Sequence, residues 1–155
     1  MKIASGLVII GKDVTKYKLL LINKDGKWGF TGGFVPEELL NCPEKEFYSR
    51  MLGSAIAYHH ANTGFNPCRL KTITNNDYLL DYVEHGKIRL IHFLQEISCG
   101  IETYVNEIVL PKPRYAKNQL KFFQYHEIVT LALEDKLLPN VPRIVKKLED
   151  KKIFF

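Results

Sequence analysis

The sequence predicts an α+β or mixed α/β domain, and three observations carry that prediction. Two apolar, β-branched runs, residues 2–10 and 17–22, flank the turn-like segment GKDVTK and read as a β-pair. Phe47, Met51 and Ala55, with neighbours Tyr48, Leu52 and Ile56, recur at helical spacing. The run KIRLIHFLQE, residues 87–96, then returns the chain to strand-like composition. An order β-β-loop-α-β-β, followed by further helices, implies a sheet built largely from non-local pairs.

Taken in order, the first pair leads into residues 25–40, which read as a loop. Asp25-Gly26 is a turn signal, and Gly32-Gly33 lets the backbone turn sharply or approach a ligand. Asn41 then reads as a helix cap, with Pro43 in the first turn and Glu44 at the capping-box position. That helix should close near Asn62-Thr63-Gly64, where glycine suits a left-handed end. Strands are expected near 68–74, at 87–96 and at 120–124. Helices are expected near 125–135 and 141–150, the latter opening Asn140-Val141-Pro142.

With 155 residues, 46% hydrophobic and 25% charged, the chain suits a single domain over 1–155 with a real core. No repeat or low-complexity segment divides it. The apolar run in MKIASGLVIIGKD is too short for a signal peptide or a membrane span, and reads as a first strand. Cys42, Cys68 and Cys99 are odd in number and lack a CxxC spacing, so reduced thiols buried as small apolar residues are expected. An intracellular location, cytoplasmic or nuclear, and no membrane partner follow.

Net charge is +5 with pI about 9.0, which permits a polyanionic partner. Lys112, Arg114, Lys117 and Lys121 are interleaved with Tyr115, Phe122 and Phe123. Phosphate-contacting patches with aromatic stacking have this composition, and so do solvated helix faces.

YKLLLIN, Asp25-Gly26, Trp28, Gly29-Phe30 and Gly32-Gly33-Phe34-Val35 before a helix resemble the Nudix family, hydrolases of nucleoside diphosphates linked to another group. Within it the loop is most similar to the snoRNA-decapping, inosine-diphosphate-cleaving enzyme and its non-catalytic relative syndesmos. Asp77, Tyr78, Gly86, His92 and Phe93 in NDYLLDYVEHGKIRLIHFL match a second pattern of that subfamily. The resemblance spans about half the chain. It implies a Nudix-like α/β/α sandwich with a mixed sheet between helices, and the homodimer that many members form.

The resemblance also implies Mg²⁺ or Mn²⁺, held by glutamates of a helix motif R-E-x-x-E-E-x-G whose spacing puts them on one face. This chain departs from that motif. No Asp or Glu occurs between Glu46 and Asp77. In one alignment Arg50 is retained, while Met51, Ser54 and Ala55 replace the glutamates and Ala57 the glycine. In the other Gly64 is retained, while Ala57, Tyr58, Ala61 and Asn62 replace arginine and three glutamates. The first is preferred because it needs only a two-residue loop extension.

Glu37, Glu38, Glu44 and Glu46 are the carboxylates left nearby for a hydrolase with relocated ligands, Glu46 being spaced for an ion pair with Arg50. His59 and His60 are adjacent and point apart on a helix, so they do not share a metal. Ser5 stands where the decapping enzyme has a substrate-contacting histidine, and Thr31 replaces the usual loop proline. The leading expectation is a catalytically degenerate Nudix-fold protein, with no metal and no cofactor. It binds RNA, a nucleotide or a protein partner, with Trp28, Phe30, Gly32, Gly33, Phe34, Arg50 and His92 around the ligand. An active metal-dependent hydrolase of nucleoside diphosphates or RNA caps is the alternative.

Overall fold

A computed structural model describes residues 1–65, 67–72, 78–107 and 119–154. Strands β1 (Lys2–Asp13) and β2 (Lys16–Lys24) form the expected hairpin, both longer than the apolar runs that announce them. Short strands β3 (Lys27–Gly29) and β4 (Thr31–Phe34) follow. Helix α1 (Glu37–Leu40) comes next, and then a 3₁₀ turn over Glu44–Glu46. Helix α2 (Phe47–Thr63) leads through another 3₁₀ turn, Pro67–Arg69, to β5 (Leu70–Thr72). The chain continues through β6 (Tyr78–Glu84), β7 (Ile88–Ile97) and α3 (Ile101–Glu107). It ends in β8 (Leu120–Phe123), α4 (Tyr125–Leu133) and α5 (Asn140–Asp150).

The sheet is mixed. Its path runs β3-β2-β1-β7-β5, with β4 added on β1, β6 on β7 and β8 on β2. β1 and β7 are parallel at its centre, and the other strand pairs are antiparallel. Alternation along β1 divides the core between two layers. Val8 and Ile10 join Leu19 and Leu21 beneath Ile128 of α4 and Val141, Ile144, Val145 and Leu148 of α5. Leu7 and Ile9 join Leu20 and Ile22 beneath Met51 and Ala55 of α2 and Tyr104 of α3. This is the expected mixed sheet between helices.

Several local expectations need correction. Residues 25–40 are not one loop: they hold β3, β4 and α1, each too short to show a period. Asn41 does not cap the long helix but ends α1. Pro43 instead fixes the start of the 3₁₀ turn, and α2 begins only after Glu46. Glu37 and Glu38 lie in the first turn of α1, where the helix dipole favours them. Residues 67–69 are a 3₁₀ turn rather than strand. β6 and α3 go beyond the elements expected from sequence, although Gly86 (φ 67°) follows His85 (φ 52°) in the turn between β6 and β7, a pairing typical of tight hairpins. The expected close of α2 holds, with Gly64 at φ 66° donating its N–H to the His60 carbonyl at 2.7 Å.

Candidate functional site

Strand β4 carries the double glycine because it lies hard against β1. Gly32 is paired with Gly6, and a Cβ on Gly32 would stand 2.6 Å from the Ser5 carbonyl oxygen. Where these strands meet β7, a cleft of about 210 Å³ opens. Ala4, Ser5, Lys24, Phe30, Gly32, Gly33, His92 and Asn140 are among its lining residues.

His92 sits on β7 beside Gly6, buried among apolar neighbours, with the Phe30 ring edge-on at 5.9 Å. A side chain on Gly6 would strike the imidazole, 2.6 Å from Cδ2, so glycine at position 6 makes the histidine's room. Burial, and then the charge of Lys24, push the His92 pKa down to about 4. The ring is therefore neutral at physiological pH, and its buried Nδ1 has no hydrogen-bond partner among the described residues. Ser5 Oγ is a second buried polar atom with no partner among the described residues. Alternation sends Ser5 to the layer of Leu7 and Ile9, and His92 to that of Leu94. Buried polar atoms in folded proteins nearly always have partners, so His92 Nδ1 in this lining makes the cleft a candidate site for an incoming group, while Ser5 Oγ faces the opposite layer. Lys24 donates to the Phe30 carbonyl at 2.5 Å and supplies positive charge among the lining residues. Asn140, at the start of α5, accepts from the Tyr82 hydroxyl.

Behind the cleft, β4 is tied to α2 by a buried polar chain. Thr31 Oγ1 and His59 Nδ1 lie 2.8 Å apart, and His59 Nε2 and the Tyr104 hydroxyl also 2.8 Å. Thr63 Oγ1 donates to the His59 carbonyl at 2.8 Å. Burial and the neighbouring His60 push the His59 pKa down to about 3. Burial likewise raises that of Tyr104, so both stay neutral. A neutral imidazole donates through one nitrogen and accepts through the other, which satisfies both hydroxyls. Thr31, which looks in sequence like a lost proline, is thus the link between strand and helix. Leucine at position 59 should lower stability by about 2–4 kcal/mol in urea unfolding, because it leaves two hydroxyls buried without partners. Phenylalanine at Tyr104 removes one of these bonds and should cost about half as much.

The Tyr58 ring covers Gly33, where a Cβ would come within 2.5 Å of it, and the Tyr58 hydroxyl donates to the Phe34 carbonyl. Beyond Tyr58, Pro36, Leu39, Gly53, Ala57 and Ala61 line an apolar groove of about 490 Å³, with Arg50 also in its lining. Arg50 pairs with Glu46 at 3.3 Å, as their spacing suggests.

The other residues that the sequence singles out fall into distinct places. Phe30, Gly32, Gly33 and His92 meet at the cleft. Trp28 does not: its ring packs edge-on to Phe123 at 4.7 Å, and its backbone is bonded to Lys136 and Leu138. Phe34 is exposed under the ammonium of Lys2 at 5.1 Å. Lys121 is engaged by Glu127 at 3.3 Å and lies over the Phe123 ring. Lys112, Arg114 and Lys117, with Asp77, lie outside the described residues. Sequence reasoning misses Lys24 and Asn140 as cleft residues; the only signal there is a polar residue at a strand end and another at a helix start. The cysteines are not buried: Cys68 is exposed, and Cys42 and Cys99 are half-buried.

No family model matches the sequence, and no curated protein matches it. Solved structures do match its fold. The C. elegans Ap4A hydrolase is 18% identical, with 97% of each chain covered and a TM-score of 0.63. A MutT/Nudix family protein from Listeria innocua is 16% identical over 97% of this chain and 92% of its own, with a TM-score of 0.60. The Nudix domain of Shewanella oneidensis NrtR, solved with ADP ribose, is 12% identical over 96% and 86%, with a TM-score of 0.59. The chain has the fold of the Nudix hydrolases.

That fold fixes what must be asked of α2. Tyr58 and His59, not Arg50, meet the strand of Gly32 and Gly33, and the helix closes at Gly64. These contacts favour the alignment that retains Gly64 over the one preferred from loop length. Ala57, Tyr58, Ala61 and Asn62 then occupy the positions of the arginine and three glutamates. A hard divalent cation needs several oxygen ligands in one place. Among the described residues no group of three or more His, Cys, Asp or Glu is so placed. Glu37, Glu38 and Glu44 are exposed around the short α1, and Glu46 is bound to Arg50. The donor set around α2 does not fit the metal that this fold implies.

Proposed function

We propose that this protein binds a nucleotide, or the nucleotide end of an RNA, in the Gly32–Gly33 cleft and does not hydrolyse it. The observation that carries the reading is the pairing of an intact cleft with a carboxylate-free helix. Neutral His92 offers a hydrogen bond, Phe30 an aromatic wall and Lys24 a positive charge, while Tyr58, Ala61 and Asn62 offer no carboxylate to hold magnesium. Two of the structural neighbours are named for nucleotides, the Ap4A hydrolase and the domain solved with ADP ribose, which supports this ligand class. No described helix is long and apolar enough to cross a membrane.

Thermal shift and calorimetric titration with inosine diphosphate, ADP-ribose and capped RNA should detect binding. A ligand at about 100 times its Kd adds about 2.7 kcal/mol of stability. His92→Leu should weaken binding by about 10-fold, and Lys24→Gln should lower its salt dependence. Binding that survives both substitutions unchanged would move the ligand out of this cleft. The hydrolase alternative predicts metal-dependent turnover that fails in the Glu37→Gln/Glu38→Gln variant.

A further inference from the structure

The inner face of α5 packs into the core through Val141, Ile144, Val145 and Leu148, and its outer face is basic. Arg143, Lys146, Lys147, Lys151 and Lys152 are all exposed, and among the described residues none of them is in an ion pair. At helical rise Arg143, Lys147 and Lys151 succeed one another every 6 Å or so, about 6 Å for each four residues, with Lys146 beside them. The acids of this stretch are the exposed Asp150 and Glu149, which is hydrogen-bonded to the Tyr125 hydroxyl. An excess of positive charge is left on the outer face.

Both ends of α5 open on cavities. Asn140, at its start, lines the Gly32–Gly33 cleft and accepts from the Tyr82 hydroxyl, while the Arg143 guanidinium lies over the same Tyr82 ring at 4.5 Å. One tyrosine thus fixes a cleft residue and the first cation of the basic face. Past the other end, Lys152 and Phe154 line a pocket of about 350 Å³ with Lys16 and Tyr17 of β2 and Tyr125 of α4. Phe154 is buried there against the Tyr125 ring at 5.9 Å, whereas Tyr17 and Tyr125 are half-buried and keep ring surface open. A basic track with aromatic rings suits single-stranded nucleic acid, since cations hold the phosphates and ring faces stack the bases. A bilayer does not fit, because an interfacial helix must insert the apolar face that α5 gives to the core.

We propose that a single-stranded nucleic acid lies along α5, its terminal nucleotide in the Gly32–Gly33 cleft and a base against Tyr17 and Tyr125 in the far pocket. Arg143, Lys146, Lys147 and Lys151 hold the phosphates between. This rests on the cleft reading above and extends it from a nucleotide to a strand. The rise from Asn140 to Lys152 is about 18 Å, a span of only a few nucleotides. Contacts along α5 go to phosphates and ring faces, so neither base sequence nor the 2′-hydroxyl is read there, and RNA and DNA bind this track alike.

The test is fluorescence anisotropy of the full chain with RNA and DNA strands of one sequence and about ten nucleotides, over a salt series. Calorimetric titration with ADP-ribose runs beside it. The strands should bind more tightly than ADP-ribose and lose affinity steeply with salt. Lys146→Gln/Lys147→Gln/Lys151→Gln should weaken both strands by about 100-fold near about 0.1 M salt and flatten the logarithmic salt slope by about 2, leaving ADP-ribose affinity unchanged. Tyr125→Leu, which keeps an apolar contact with Phe154, should weaken the strands by about 10-fold. Strand binding at wild-type strength in either variant would overturn the inference, as would polyglutamate bound as tightly as RNA. ADP-ribose that fails to bind while the strands still depend on these lysines would overturn the cleft reading alone.

Discussion

Alanine at Gly32 is expected to destabilise the protein by about 2–4 kcal/mol, more than any other single methyl group added to the glycine loop. The three atoms nearest its Cβ are all backbone: the Ser5 carbonyl oxygen at 2.6 Å, the Gly6 Cα at 3.0 Å and the Ser5 carbonyl carbon at 3.3 Å. No side chain can rotate away, so β4 must move off β1 and loosen the pairs Gly6–Gly32 and Ser5–Gly33. The glycine is required by close approach of two strands, not by an unusual dihedral angle. Gly53 provides the control. It lies inside α2, and a Cβ there meets nothing within 4 Å. Alanine at 53 should therefore stabilise by about 0.5–1 kcal/mol, because glycine loses more backbone freedom in a helix. Urea unfolding of the two variants should move in opposite directions.

The second large effect is with pH. His59 and His92 have folded pKa values of about 3 and about 4, both below the ordinary histidine value of 6.5. Between those limits the unfolded chain binds protons that the folded protein does not, so stability is full above about pH 6.5 and falls as the medium is acidified. Each histidine should remove about 2 kcal/mol by pH 5, roughly 4 kcal/mol together. Asp81, held low mainly by Arg89, and Glu127, held low mainly by the Gln124 backbone, act at lower pH and leave this window to the imidazoles. In the His92→Leu variant the decline between pH 7 and pH 5 should be about half as steep. An unfolding free energy that stays flat over this interval would mean that the two rings are solvated.

The sequence makes some of this arrangement visible and hides the rest, for physical reasons. Continuous apolar runs make β1, β2 and β7 visible, since each has buried positions on both faces. Gly64 announces the end of α2 because a left-handed closing residue has few substitutes. β3 and β4 are hidden by their length, and β6 by the charged Asp81 and Glu84 that interrupt its apolar run. Trp28 looks like a ligand platform because composition does not say which aromatic ring the core will claim; Phe123 claims this one. The loss of acidic residues from α2 is plain in the sequence, but its alignment is not. Loop length favours Arg50, whereas the contacts of Tyr58 and His59 with β4 favour Gly64. The role of Thr31 depends on His59 and Tyr104, 28 and 73 residues further along, and no local pattern could supply it.

The proposed function, a cleft that binds a nucleotide beside a helix that does not cleave it, makes two demands, and one sample can test both. Phosphorus NMR follows ADP-ribose and inosine diphosphate, each held with the protein and Mg²⁺ or Mn²⁺ for hours. Mg²⁺ serves for line shapes, while Mn²⁺ samples are quenched with chelator before observation. The pyrophosphate resonances should broaden or shift, His92→Leu should move them back toward their free positions at the same concentrations, and no new phosphate signal should grow in. Metal-dependent appearance of phosphate or monophosphate would contradict this reading of the cleft and helix.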